Sequence, residues 1–257
     1  MEFININLVN TTTLVTVTSG TSTVERLFDR ETFQYQSSGF DSDATVTTLS
    51  VVFPSTQTVD RIALQNHNLK DFELYYDSNS ANKFSLSIET TSSDWASNSA
   101  TNSYLILSSA TAIKTLQIVA SATIDANEEK KIGELWVADL LLRFEHNPPA
   151  GQYKPKYDRK EYVHEMSDGG TAVYVVDKYF TADIGLSYQS DSMTTELLDI
   201  YNTASAFVFV PYPTTTGWRG DIFEVNWIGD YDFLQPAKND YTSYGWKGTV
   251  KLRETPK

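Results

Sequence analysis

Three histidines, at positions 67, 146 and 164, and 33 acidic side chains are the groups in this 257-residue chain whose types could support acid–base or metal chemistry. No histidine falls in a metal-ligating spacing such as His-Glu-x-x-His, which would put two imidazoles on one helix face. Paired carboxylates stand at Asp41/Asp43, Glu128/Glu129 and Asp230/Asp232. Glycoside hydrolysis uses this residue type, with one carboxyl donating a proton while the other stays ionised. With 33 acids in the chain such neighbours arise by chance, and adjacency says nothing about a raised pKa. No Gly-x-Ser-x-Gly elbow, phosphate-cradling glycine loop or dinucleotide fingerprint occurs. Cysteine is absent, which removes disulfides, iron–sulfur clusters and cysteine-based zinc sites. The expectation is a protein that is not an enzyme, with no catalytic residue, no cofactor and no metal site. A glycosidase is the one catalytic reading left, since its two carboxylates need not be close in sequence.

The formal charge of -13 argues against primary recognition of nucleic acid or an anionic membrane, because such a chain gains nothing from releasing counterions of a polyanion. The most apolar segment, Glu134 to Phe144, is interrupted by Asp139 and is far shorter than the roughly 20 residues of a spanning helix. Met1-Glu2-Phe3-Ile4-Asn5 lacks the basic start and unbroken apolar stretch of a signal peptide. A soluble protein made in a cytoplasm is expected. Its composition is uneven. Of 55 Ser and Thr residues, 38 lie in the first 140 positions, whereas 11 of 15 tyrosines lie after them. The first 140 residues hold 17 acids and 8 bases, the remainder 16 and 12. Two domains are therefore expected, spanning 1–142 and 143–257, and the proline-rich stretch His146-Asn147-Pro148-Pro149 cannot be regular structure.

The elements that must position any site are mostly strands. Period-2 alternation places every second side chain on one face. It runs through Phe72, Leu74 and Tyr76, through Phe84, Leu86 and Ile88, and through Tyr244, Trp246, Val250 and Leu252. Such strands suit antiparallel sheets with one wet face. One segment departs from this pattern. From Asp191 to Ala204 apolar residues fall at Met193, Leu197, Leu198 and Tyr201, one stripe of a helix, with Asp191 or Ser192 as the expected N-cap. The run Ala206 to Val210 then reads as a buried strand ending at Pro211. The fold class is all-β with one helix.

Residues 24–76 carry Leu27-Phe28-Asp29, then Tyr35 and Ser37, a β run, and Val59-Asp60-Arg61-Ile62-Ala63-Leu64 leading into His67-Asn68-Leu69. Together with the closing strand Lys131 to Val137, this order resembles the galactose-binding-like, discoidin-type jelly roll over about residues 20–138. On physical grounds alone, Leu27 and Phe28 would anchor a core, Ile62 and Leu64 would face inward, and Asn68 could hold a turn conformation. The resemblance implies a β-sandwich that in many members binds sugars through loops at one end. It makes Tyr35, His67 and Trp95 the candidate rings for glycan stacking or docking. Some members hold a structural calcium, for which Asp29, Asp41 and Asp43 would be the oxygen ligands here. Ordinary solvated turns account for the same aspartates.

The second half carries Tyr157 to Gly170, a long β run to Tyr188, the helix, Phe207 to Val210 with Pro211, and Phe223 to Trp227. This order resembles the split β-barrel domain of phage tail-tube and distal-tail proteins over about residues 143–257. The resemblance implies a homo-oligomeric ring, a hexamer in that family, that pairs strands around a channel. Its partners would be other tail proteins such as tube and hub, and its location the virion after synthesis in the host cytoplasm. The leading expectation is thus a distal-tail or baseplate-type virion component whose jelly roll docks neighbours or a host-surface glycan. The alternative is a carbohydrate-binding module protein.

Overall fold

A computed structural model describes residues 1–11, 15–17, 24–30, 36–41, 43–77, 82, 84, 94–95, 98–203, 206–214, 218–234 and 245–255. The chain is all-β with one α-helix among these residues. In chain order the first strands are β1 (Glu2–Ile4), β2 (Val15–Val17), β3 (Gln36–Asp41), β4 (Thr47–Gln65), β5 (Leu69–Tyr76), β6 (Asp94–Trp95) and β7 (Ser103–Thr123). Next come β8 (Glu129–Ile132), β9 (Glu134–Ala138), β10 (Leu140–Arg143), β11 (Tyr153–Glu165) and β12 (Thr171–Gln189). Helix α1 (Asp191–Thr203) precedes β13 (Phe207–Val210), β14 (Phe223–Trp227), β15 (Asp232–Leu234) and β16 (Trp246–Glu254). Two compact units result. One comprises Ile4–Leu141 with Val210–Asp221, the other Met1–Phe3, Leu142–Phe209 and Ile222–Lys257.

The first unit is a β-sandwich of the jelly-roll kind. Its larger sheet runs β2-β4-β7-β5-β6, with β9 also on β4, and β3 pairs β8 in a second ladder. β4 and β7 are 19 and 21 residues long, too long to stay flat in a small sandwich. Their antiparallel register slips between Val52 and Gln57 and again between Val59 and Arg61. Pro54, which cannot donate to a ladder, falls inside the first slip. Beyond the second slip β4 lies between β7 and β9, and there all five residues from Arg61 to Gln65 are buried, so the alternation ends. Ile62 and Leu64 pack in the core with Leu27, Leu74, Leu105, Leu116 and Leu135, and Phe28 packs against it.

In the turn where Asn68 stands, the left-handed backbone is held by Asn66, at φ 48°. Asn68 works through its side chain, which donates to the Glu129 carbonyl at 2.7 Å and accepts from the Lys131 amide at 2.8 Å. The closing strand is two strands, β8 and β9, separated at Gly133. Of the expected alternation at 84–88 only Phe84, which is buried, lies within the described residues; Tyr244 lies outside them.

The second unit is built on a sheet ordered β10-β1-β13-β14-β16-β12-β11, with β15 also on β16. Its core is aromatic. Phe3 meets Phe144, Phe207 and Phe209 at 5.0, 4.6 and 5.8 Å between ring centres, and Phe180 stacks on Phe223 at 3.8 Å. Helix α1 buries Met193, Thr194, Leu197 and Ile200. Leu198, expected on that stripe, is exposed, because Ile200 completes the inward face. The N-cap is Ser190 rather than Asp191 or Ser192. Its hydroxyl accepts from the Met193 amide at 3.1 Å, and the Glu145 carboxylate holds it by accepting from its hydroxyl and amide at 2.7 and 3.1 Å. Asp191 instead accepts from the Trp246 indole at 2.6 Å.

Candidate functional site: an exposed β-ribbon

β11 and β12 pair over thirteen residue pairs, from Tyr153 with Ile184 to Glu165 with Thr171. β16 lies on β12 only from Thr181 to Gln189. Beyond Thr181, therefore, the described partner of β12 is β11 alone, and the two strands continue as a ribbon. The ribbon closes at Ser167-Asp168-Gly169-Gly170, a run whose residue types suit a tight turn with positive φ. Gly169, at φ 83°, donates to the Met166 carbonyl at 2.9 Å, Met166 donates to the Gly170 carbonyl at 2.7 Å, and the Asp168 carboxylate accepts from the Gly170 amide at 2.8 Å. A register shift at Lys160/Glu161 interrupts the ladder.

Apolar side chains occupy both faces of this ribbon. Tyr162 lies opposite Tyr174 and Val163 opposite Val173, all more than half exposed, and Val175, Val176 and Met166 are exposed as well. A two-stranded ribbon is marginal in water by itself, and contiguous exposed apolar surface marks an interaction site. The ribbon is tied to the core at its base, where Tyr157 meets Phe180 and Phe223 edge-on. β11 is the last strand of its sheet, so among the described residues one line of its backbone donors and acceptors has no ladder partner.

Charge is unevenly spread along β11. Its first part carries Lys154, Lys156, Arg159 and Lys160 against Asp158, in a chain that is strongly acidic as a whole. Lys156 pairs with Asp158 and Arg159 with Glu161. The hydrogen bond and charge of Asp158 raise the Lys156 ammonium above its ordinary range, and the same contact lowers the Asp158 carboxyl. Lysine and Pro155 on an edge strand discourage indiscriminate pairing. Sequence reasoning did not single out the ribbon residues one by one. The available signal was Val173-Tyr174-Val175-Val176, four consecutive apolar residues where a half-buried strand would alternate.

Of the residues singled out in the first unit, His67, Asp29 and Asp43 have described side chains, and each is held by different partners. His67 is 1% exposed and is not a surface ring. Its Nδ1 accepts from the Leu69 amide at 3.2 Å, Nε2 meets the Ser103 hydroxyl at 2.9 Å, and the ring lies edge-on to Phe72. Burial lowers its pKa to about 4. Tyr35 lies outside the described residues, as does the Trp95 side chain; the Trp95 backbone pairs with Phe72 at the sheet edge. Asp29 receives a hydrogen bond from Arg26 at 3.1 Å. Asp41 pairs through its backbone with Glu129, its side chain being outside the described residues.

Asp43 accepts at Oδ1 from the Thr123 amide and hydroxyl, both at 3.0 Å, and at Oδ2 from the Asn127 amide at 3.2 Å. Burial would raise its pKa, but these bonds from Asn127 and Thr123 outweigh that and lower it. The oxygens of Asp43 thus staple its loop to residues 123–127. No group of three His, Asp or Glu side chains suited to a metal occurs among the described residues.

A chain of buried polar contacts appears elsewhere in this unit. The Trp136 indole donates to Gln65 at 2.8 Å, and the Gln65 amide donates to the Gly220 carbonyl at 2.5 Å. Tyr104 packs on Trp218 at 5.1 Å between ring centres. These contacts bring Val210–Asp221, more than 140 residues along the chain from Gln65, into the sandwich unit. In the second unit a cleft of about 480 Å³ is lined by residues including Gln152, Gly185, Leu186, Asp232, Leu234 and Lys247. Its described lining offers one carboxylate and one ammonium.

No protein-family profile matches the chain, and no curated protein does. Similar solved structures include carbohydrate-binding modules. One is chitosan-binding module 1 of a chitosanase/glucanase from Paenibacillus sp. IK-5, at 17% identity over 52% of this chain and 97% of the module, with a TM-score of 0.39. A second is the family 32 carbohydrate-binding module of Clostridium perfringens NanJ in complex with galactose, at 19% identity, 49% and 92% coverage and a TM-score of 0.38. A third is a Streptococcus pneumoniae fucose-binding module, at 11% identity, 52% and 95% coverage and a TM-score of 0.38.

Proposed function

We propose that this chain is a non-catalytic structural subunit of a long-tailed bacteriophage, of the distal-tail or baseplate type, that joins copies of itself into a ring. The observation that carries the reading is the β11–β12 ribbon, which ends its sheet among the described residues and whose two apolar faces suit coverage by another chain. Ring closure would remove the open edge that a monomer leaves in water. Tyrosine serves such a contact because it buries apolar area and keeps a polar tip. The virion assignment rests on the ribbon together with the resemblance of residues 143–257 to tail-tube and distal-tail split barrels, in which family the ring is a hexamer. The jelly roll would face outward to dock tube, hub or other tail proteins, or a host glycan. Electron microscopy and light scattering of the purified chain, with antibody labelling of tail particles, test it. Rings that label at the tail end are expected; a chain that stays monomeric and is absent from tails overturns it.

The second reading is a carbohydrate-binding module protein, in which the jelly roll does the work. It is favoured by the sandwich fold of the first unit and by the position of Trp95 on the edge strand β6. Chitosan, galactose and fucose, named for the similar structures, are the first ligands to try. A glycan array is its test. Binding that disappears on Trp95→Ala supports it, and an array with no binder removes it.

A further inference from the structure

Helix α1 offers one exposed acidic stretch of the second unit, beside others such as Glu161, Glu165 and Asp168 on the ribbon. The helix carries Asp191, Glu196 and Asp199, with no basic residue in its last turn, and all three carboxylate residues are exposed. Leu198 is exposed between them. The basic surface lies on a different element, the first part of edge strand β11, where Lys154, Lys156, Arg159 and Lys160 are all exposed. Lys154 to Lys160 spans about 20 Å of strand at roughly 3.3 Å per residue. Asp191 to Asp199 spans about 12 Å of helix at roughly 1.5 Å per residue, so the acidic stretch fits within the basic one.

We propose that the basic edge of β11 in one copy seats on the acidic face of α1 in a second copy of this chain. The inference rests on the ring-forming reading above and specifies its contact. Repeated head-to-tail, this contact closes into a ring when the rotation permits, whereas a reciprocal two-fold pair, each strand on the other's helix, would stop at a dimer in sedimentation. Like-charged surfaces are kept apart: β11 does not meet β11, nor α1 meet α1, which fixes the order of subunits. The exposed Leu198 supplies an apolar centre within the charged rim.

The test uses the full chain in three forms: the parent, a strand variant with Lys154→Glu and Lys160→Glu, and a helix variant with Glu196→Lys and Asp199→Lys. Sedimentation gives the assembly state, and circular dichroism melting confirms folding, which these exposed changes should leave unaltered. The parent should assemble, and its association should weaken at least about tenfold as salt rises from about 0.05 to about 0.5 M. Each variant alone should lose association at least about tenfold. An equimolar mixture should recover it, because the acidic strand of one then faces the basic helix of the other in alternation. If the parent assembles and the variants assemble equally well, or the mixture fails to recover, this contact is wrong while the ring stands. If the parent is monomeric throughout, the ring reading falls and takes this contact with it.

Discussion

β4/β7 and β11/β12 are both long antiparallel pairs with thirteen registered residue pairs, yet they end in opposite environments. In the first, apolar side chains point into the sandwich, and where β9 joins the sheet even the alternate positions become buried. In the second, Tyr162, Val163, Val173 and Tyr174 stand in water on both faces. Strand length and apolar content do not by themselves decide burial. What decides it is whether a further layer of the same chain lies on the pair. β4 and β7 have such a layer, and the outer part of β11 and β12 lacks one among the described residues.

The sharpest way to break this comparison is to truncate equivalent apolar residues in the two pairs. Leu64→Ala in β4 should destabilise the chain by about 2–5 kcal/mol in denaturant unfolding, since Leu64 is fully buried. The same truncation in the ribbon, Val163→Ala, should cost less than about 0.5 kcal/mol in the dispersed chain. If the two losses are alike, the ribbon is covered within the monomer and the contrast fails.

A second effect concerns the turn that leaves β4. The His67 pKa is lowered by burial to about 4, so folding favours the neutral ring. Its stabilisation is complete above the unfolded value near 6.5 and is lost as pH falls from there to about 4. A shift of that size corresponds to about 3 kcal/mol. Thermal melts between about pH 7 and pH 4 should show the loss, and His67→Gln should flatten the profile. An unchanged profile in the variant would show that His67 is not the group responsible.

Smaller again is Gln65→Ala, which leaves the Trp136 indole and the Gly220 carbonyl without their partner. A loss of about 1–3 kcal/mol is expected in unfolding. It should be accompanied by faster amide exchange in Val210–Asp221. Exchange confined to β9 would mean that the Gly220 contact contributes little.

The smallest stability change belongs to the ribbon tip. Tyr162→Ser with Tyr174→Ser should move the melting temperature of the dispersed chain by no more than about 2 °C, a few tenths of a kcal/mol. The same pair should reduce self-association severalfold by sedimentation. A stability loss as large as that of Leu64→Ala would place these tyrosines in a core.

Much of this architecture was legible residue by residue. The alternation of Phe72 and Leu74, the inward Ile62 and Leu64, the glycine turn at 169 and the helix starting at Asp191 follow from side-chain period and backbone preference, which act over a few residues. Errors arose where distant segments meet. Ser190 caps α1 because Glu145 holds its hydroxyl and amide, and Asp191 is drawn instead to Trp246, 55 residues away. The jelly-roll resemblance made His67 a candidate surface ring, whereas it is buried against Ser103 and Phe72. The contacts of the Asp43 carboxylate with Thr123 and Asn127, 80 and 84 residues away, were likewise not legible in the sequence.

By itself, the order of side chains determined an all-β chain with one helix, strands that alternate where one face is wet, and tight turns where glycine permits positive φ. These are local consequences of sterics and hydrophobic period. Only the tertiary structure decided which alternating faces found a partner layer, that Trp218 and Gly220 join the sandwich through Tyr104 and Gln65, and that the apolar β11–β12 ribbon has no further layer on it among the described residues. Those outcomes depend on desolvation and hydrogen bonding between segments more than a hundred residues apart, and such pairings leave no periodic trace in the sequence.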